Sequence, residues 1–415
     1  MTLPASIGDF VPQPQVAEDE DLRRRERFPV GASIEFADLE QHGRLDALDR
    51  LRDREPVSWV PALGGWLVTA HELGRDVLGH PQDFTVWSDA NLVRASLGVM
   101  MLTSDAGFHD RQRAPFDEPF RMRPVRARFE QPIRHRVGGL LDGLEQLGGC
   151  DLSPAFALPF AIGVAADVLG LSLDDVPKIG GFYEAFAAAM VYDGNPEPQR
   201  RADAVRQEFD AILLAELERV RARSDASITS AVANDPHAGL DDQAIAAQLR
   251  VILFGAIETV QSMVLNTVLL LLQHPDELAA ARGDASAVAG AVDEALRLIP
   301  PVAFIERWAL DSTSIGGVLV PCGEFVGLSV VAANRDPAVF DEPERFDLRR
   351  ANARRHLAFS FGVHFCLGFN LARLQGTIAV ESLLARLPGL RLVEAPEPFG
   401  FAFRKPERLV VGWDT

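Results

Sequence analysis

From Arg250 to Gln273 the chain reads RVILFGAIETVQSMVLNTVLLLLQ. As a helix this stretch is apolar around nearly its whole circumference, so other elements of a large core must enclose it on every side. Glu258, Gln261 and Asn266 interrupt it before about 18 apolar residues accumulate, which argues against a membrane span. The chain's 415 residues are enough to build such a core. On length alone, at roughly 100 to 200 residues per domain, two or three domains would be possible.

Most of the remaining sequence also reads as helix. Good helix formers at 3.6 spacing recur in Asp46–Arg52, Val125–Leu147, Asp203–Arg223, Asp242–Gln273, Ala285–Leu298 and Asn370–Leu387. Strand signals are short. Val57–Trp59 and Gly65–Thr69 predict one hairpin, and Ser314–Val320 with Phe325–Val331 predicts another around Pro321-Cys322-Gly323. Strands and helices do not alternate regularly, which excludes a doubly wound parallel sheet and leaves a mainly α fold with small β-sheets. Linker-like composition is confined to residues 1–30, which we expect to be flexible.

A net charge of −18 argues against nucleic acid or an anionic membrane as a partner. The three cysteines, Cys150, Cys322 and Cys366, are far apart and lack any CxxC spacing, so neither a disulfide framework nor a zinc or iron–sulfur site is indicated. With no basic start followed by an apolar run at the N-terminus, a cytoplasmic protein is expected. No GxGxxG, phosphate loop, GxSxG elbow or HExxH occurs.

Chemistry therefore has to come from another kind of site. Cys366 lies between Gly362 and Gly368, where a glycine-bearing segment gives way to a helical pattern. At a helix start a thiolate is stabilised by unpaired N–H groups and by the dipole, and so becomes a nucleophile or a ligand. As a nucleophile it would have only His364 as a local base. As a zinc ligand it would leave three positions unfilled, so a cofactor that brings its own other ligands suits it better. Cys150 and Cys322 read as packing residues.

The run Phe359-x-x-Gly362-x-x-x-Cys366-x-Gly368 resembles the haem-binding signature of cytochrome P450. Glu294-Ala-Leu-Arg297 resembles its ExxR motif, Pro343-Glu-Arg345-Phe346 its PERF segment and Ala333-Asn-Arg-Asp-Pro337 the run before its meander. Gly255-Ala-Ile-Glu258-Thr259 is similar to its oxygen-activating motif. These matches keep the family's order over almost the whole chain, from Phe36 onward. The resemblance implies a single domain over residues 31–415 with the P450 fold, a triangular prism whose long central helix crosses haem b.

The same resemblance implies roles for individual residues. Cys366 would be the proximal ligand of the iron, with Phe359 and Phe365 shielding it and Gly362 and Gly368 allowing close approach. His109, Arg113, Arg307 and His364 would bind the propionates. Glu294, Arg297 and Arg345 would form a buried structural triad. Glu258 and Thr259 would relay protons, with the Thr259 hydroxyl able to bond the Gly255 carbonyl four residues back. Ala256 departs from the family's more usual second glycine and narrows the groove. The pocket wall would include Trp87, Val93, Leu97, Val251, Phe254, Gly255, Ala303, Ile305 and Phe401, with Asp89, Asn91 and Arg94 as polar anchors.

The implied function is oxidation, by default hydroxylation, of a mid-sized, largely apolar small molecule with O2, by a monomer. Oxidative coupling, desaturation and C–N bond formation use the same machinery, whereas a haem-thiolate sensor or electron carrier would not need the acid–alcohol pair. The chain has no flavin, nucleotide or iron–sulfur fingerprint, so electrons would come from a separate ferredoxin and reductase. Arg349, Arg350, Arg354 and Arg355, together with Arg121, Arg123, Arg126 and Arg128, would offer a docking face.

Overall fold

A computed structural model describes residues 16–40, 46–189 and 196–415. The apolar stretch belongs to a helix of 32 residues, Asp242–Gln273, about 48 Å long. Asp241 caps it by accepting the Ala244 N–H at 2.8 Å, which satisfies a donor of the first turn. Pro275, whose missing N–H costs nothing at a first turn, opens the next helix, Pro275–Gly283. The long helix packs against Leu158–Leu169, Pro196–Ala222, Ala285–Leu298 and Phe369–Arg386. It is long and apolar enough to cross a membrane, but 78% of its most apolar window lies inside the protein, so its apolarity serves the core.

The first expected hairpin is present: Val57–Val60 pairs with Gly65–Val68, and Gly64 turns between them at φ 61°, where a side chain would be strained. The second expected hairpin is corrected. Thr313–Ile315 pairs with Val318–Val320 across Gly316 and Gly317. Phe325–Ser329 instead runs parallel to Gly65–Val68 and antiparallel to Phe304–Ala309. All five of its residues are buried, so it has no polar alternation to reveal its neighbours. Phe84–Thr85 completes this five-stranded sheet, and Gly149–Asp151, Val410–Gly412 and Arg391–Leu392 form a three-stranded one. The architecture is the expected helical fold with small sheets.

Several helices lack the periodic signal. Leu158–Leu169 is buried on most faces and Val176–Ala189 is rich in alanine and glycine, so neither presents one apolar stripe. The expected helix Val125–Leu147 is Met122–Asp142, followed by a separate short turn, Glu145–Leu147.

Of the N-terminal segment expected to be flexible, residues 1–15 lie outside the described residues. The following part is an ordered helix, Glu18–Arg27, with acids in its first turn and bases in its last. It is docked. Arg24 donates to both oxygens of Glu324 at 2.8 Å, its guanidinium lies 4.6 Å from the Trp59 ring centroid, and Trp66 Nε1 donates to the same carboxylate at 2.7 Å.

Candidate active site

The segment before helix Phe369–Arg386 turns on Ser360 and Gly362, at φ 62° and 72°. A Cβ on Gly362 would lie 2.4 Å from the Leu78 carbonyl oxygen, so the loop can sit against that element only with glycine there. Cys366 N–H donates to Phe359 O at 2.8 Å and closes the loop. Phe359, Phe365 and Phe369, on either side of Cys366 in the chain, pack on one another, with ring centroids 4.9 Å apart for the closest pair, Phe365 and Phe369. Burial raises the pKa of Cys366, while the Gly368 N–H and the charges of Arg113 and Arg373 act against that rise. The expected helix-start effect is therefore present but outweighed, and a bound cation is what would tip this thiol to thiolate. Among the described residues no group of three or more His, Cys, Asp or Glu side chains could hold a metal ion, so any metal at Cys366 must bring its other ligands.

Above the loop, a cavity of about 410 Å³ separates Cys366 from Gly255, Ala256 and Thr259 of the central helix. A Cβ added at Gly255 or Gly368 would meet nothing within 4 Å, so the cavity reaches both backbones. Ser360 Oγ, on the cavity wall, is buried without a hydrogen-bond partner. His109, Arg113 and Arg307 line the same cavity. A thiol on one face, open backbone on the other and cations at the rim fit an iron porphyrin carrying two carboxylates.

The rim differs in part from expectation. Arg307 is buried, and its recorded hydrogen bond is to the neighbouring Glu306 carbonyl at 2.7 Å. Burial lowers its pKa to about 10, so it is still charged at neutral pH and suited to an incoming carboxylate. Arg113 Nε donates to Asp117 at 3.1 Å, and His109 Nδ1 lies 3.0 Å from Asp110. His364 also lines the cavity: its Nε2 is 3.1 Å from Asp105 Oδ1, and its ring meets His109 edge-on at 4.6 Å. Burial holds its pKa down at about 4, with the bond to Asp105 acting against that fall and the Arg307 charge in the same direction. Burial also opposes the charge on Asp105, but bonds from His364 and Thr85 hold that carboxyl below the usual range. Sequence reading missed Asp105. It stands just before helix Ala106–Asp117 and looks like a cap, yet makes no capping bond.

On the distal side Thr259 Oγ1 donates to Gly255 O at 2.5 Å, as the spacing predicts. Glu258 is fixed from outside the central helix: Lys405 Nζ donates to it at 2.5 Å, Ser262 Oγ at 3.2 Å, and the Tyr183 hydroxyl donates to its other oxygen. Thr259 faces the cavity, whereas Glu258 is buried behind it among these donors. Tyr183 and Lys405 carry no local sequence signal for this role.

The buried triad is also corrected. Arg297 binds Glu294 through Nε and Nη2, at 2.6 and 2.9 Å, and both side chains are fully buried. The third member is Arg350, whose Nε donates to Glu294 at 3.1 Å, whereas Arg345 offers only its carbonyl to Arg297 and points its exposed side chain at Glu342.

Of the expected pocket residues, Val93, Val251, Phe254, Gly255 and Ile305 line the cavity. Trp87 is instead buried beneath the Arg94 guanidinium, and Leu97 lies in the helical core. Ala303 and Phe401 line a separate small void with Phe304, and Phe403 takes the expected place of Phe401. Asp89 pairs with Arg94, while Asn91 reaches the cavity wall. Cys150 packs against the core, but Cys322 is exposed, so the packing reading fails for it.

The family model described as Cytochrome P450 matches residues 197–388. Cytochrome P450 monooxygenase PikC of Streptomyces venezuelae is 31% identical over 396 residues, covering 90% of this chain and 92% of that one. The 6-deoxyerythronolide B hydroxylase of Saccharopolyspora erythraea is 32% identical over 364 residues, covering 82% and 88%. Among solved structures, P450BioI in complex with a hexadec-9Z-enoic acid ligated acyl carrier protein superposes with a TM-score of 0.82 at 27% identity, over 89% of this chain and 98% of that one.

Proposed function

The chain belongs to the cytochrome P450 superfamily, as a monooxygenase that binds haem b, and from that premise we propose that it hydroxylates a mid-sized, largely apolar small molecule with electrons from a separate ferredoxin and reductase. The observation that carries this reading is the cavity between Cys366 and Gly255–Thr259, whose wall is predominantly aliphatic and aromatic. Haem bound there supplies reductive dioxygen activation, placing one oxygen atom in substrate and releasing the other as water.

The chain's own residues hold the cofactor and govern the protons. Cys366 Sγ is the ligand, while Arg113, Arg307 and His109 answer the propionates. Thr259 Oγ1, whose proton is held on the Gly255 carbonyl, presents its acceptor lone pairs to the cavity, where they would hold a proton-carrying water. Glu258, buried behind Thr259, would pass on protons taken from the Lys405 ammonium or the Tyr183 hydroxyl that hold its carboxylate in place. Val93, Val251, Phe254 and Ile305 exclude water and orient the apolar substrate. We read residues 31–415, with helix Glu18–Arg27 docked on them, as one catalytic domain and the protein as a monomer in the cytoplasm, where free thiols such as Cys150 and Cys322 persist.

Two variants test the reading. Reduced wild type with carbon monoxide should give the red-shifted Soret band of a thiolate-ligated haem, and Cys366→Ser should lose it. Thr259→Ala should keep that band, bind ligand and consume reductant, yet release hydrogen peroxide in place of oxidised product. Full coupling in Thr259→Ala would remove the proposed proton route.

A further inference from the structure

Outside the cavity wall, three elements meet at Gly98: the end of helix Leu92–Leu97, helix Pro196–Ala222 and the start of the central helix. Gly98 sits at φ 87° and ψ −164°, a region closed to other residues. At the point where its missing Cβ would stand, Arg206 Nη1 is 3.2 Å away and Arg250 Nη2 3.7 Å away. Two guanidinium groups from different helices thus converge over Gly98, an approach that a side chain there would crowd.

The local charges are roughly balanced, but the hydrogen bonds are not. Arg250 Nη1 is taken by Asp210 and Arg206 Nη2 by Asp203. Arg250 Nε, Arg206 Nε and Gln199 Nε2 are all buried without a partner, and Gln199 is tied to the same corner through Ser96. Every unmatched buried polar atom in this cluster is a donor, so the missing group is an acceptor. Arg250 is 5% exposed, and burial lowers its pKa, with the charge of Arg206 acting in the same direction and Asp210 against it. Asp203 has 45% of its side chain exposed, and its charge is correspondingly screened.

We propose that the niche over Gly98, formed by Arg206 and Arg250, binds the carboxylate or phosphate of an anionic ligand. The adjacent residues support a link to substrate. Val251 follows Arg250 into the cavity wall, and Leu92 and Val93 enter it from the helix that ends at Gly98. The substrate class is then an apolar body with an acidic end, an assignment that rests on the monooxygenase reading of the cavity. A free phosphate would use the same donors.

The experiment titrates ferric holoenzyme with octanoate, dodecanoate and their methyl esters, following the loss of distal water from the haem spectrum. At least one acid should bind about tenfold or more tightly than its ester. Arg250→Gln and, separately, the more exposed Arg206→Ala should abolish that preference while leaving ester binding unchanged. An intact carbon monoxide band in each variant shows that it folds. A parallel arm adds inorganic phosphate. If phosphate competes with the acid, or raises the melting temperature of wild type but not of Arg250→Gln, free phosphate also occupies the niche. The proposal is overturned if no acid is preferred over its ester and phosphate gives no Arg250-dependent stabilisation. Ester binding with a normal thiolate band in that case would leave the monooxygenase reading standing. Conversely, loss of the band with phosphate stabilisation intact would sink that reading and keep the niche.

Discussion

His356 is sealed inside the protein beside the Cys366 loop, its ring 5.5 Å from Phe359. Its Nδ1 accepts the Ala358 N–H at 3.2 Å, and its Nε2 has no partner. Burial pushes its pKa down to about 3, with the Arg373 charge acting in the same direction and Asp293 against it. In the unfolded chain the ring takes its proton near an ordinary pH of about 6.5. Between those values the unfolded state binds more protons than the folded one, so stability falls as pH is lowered from 6.5 towards 3. His356→Gln should flatten this acid limb. In urea unfolding, wild type should lose about 2 kcal/mol more than the variant between pH 7 and pH 5; equal losses would clear His356. At this scale Cys366, Thr259, Arg113 and Arg307 are legible because motif and spacing are local. Tyr183 and Lys405 are not, because they reach Glu258 from 75 and 147 residues away.

The helix Ala285–Leu298 and the loop after it depend on which arginine folds back onto Glu294. Arg350 does, with 8% of its side chain exposed against 58% for Arg345. Removing Arg350 leaves part of a fully buried carboxylate uncompensated, so Arg350→Leu should lower stability by about 3 kcal/mol. Arg345→Leu should cost less than about 1 kcal/mol, as for an exposed pair. Urea midpoints of the two variants check this, and a larger loss for Arg345→Leu would restore the triad expected from the PERF segment. The ExxR pair itself is readable because i and i+3 share a helix face. Its third partner is set by the irregular path from Glu342, at φ 44°, to Arg350, and no periodicity encodes that path. The same limit applies to Phe325–Ser329: the strand is evident in the sequence, but its two neighbours are chosen by the sheet as a whole.

Across the whole molecule, a chain of net charge −18 keeps exposed arginines on two segments, one from Arg121 to Arg126 and one from Arg349 to Arg355 just before the Cys366 loop. Arg350 drops out of the expected docking face, since its guanidinium is consumed by Glu294 and nearby carbonyls. Arg354 and Arg355 are paired with Asp293 and Glu72 but are still 69% and 49% exposed, and Arg121, Arg123, Arg126 and Arg349 are exposed as well. Helix Met122–Asp142 packs on helix Phe369–Arg386, which begins just after Cys366, so Arg121 and Arg123 enter the fold beside the thiolate side. On the proposed function, such a local basic surface within an acidic protein would steer an acidic ferredoxin to this face, affecting encounter more than chemistry. Arg123→Glu with Arg349→Glu should therefore raise the KM for ferredoxin several-fold while leaving the carbon monoxide band and ligand titration unchanged. Raising salt, which shortens the screening length to about 3 Å at 1 M, should weaken wild type towards the variant. If reduction by ferredoxin is indifferent to both salt and charge reversal, these arginines are a solvated face and the electron donor docks elsewhere.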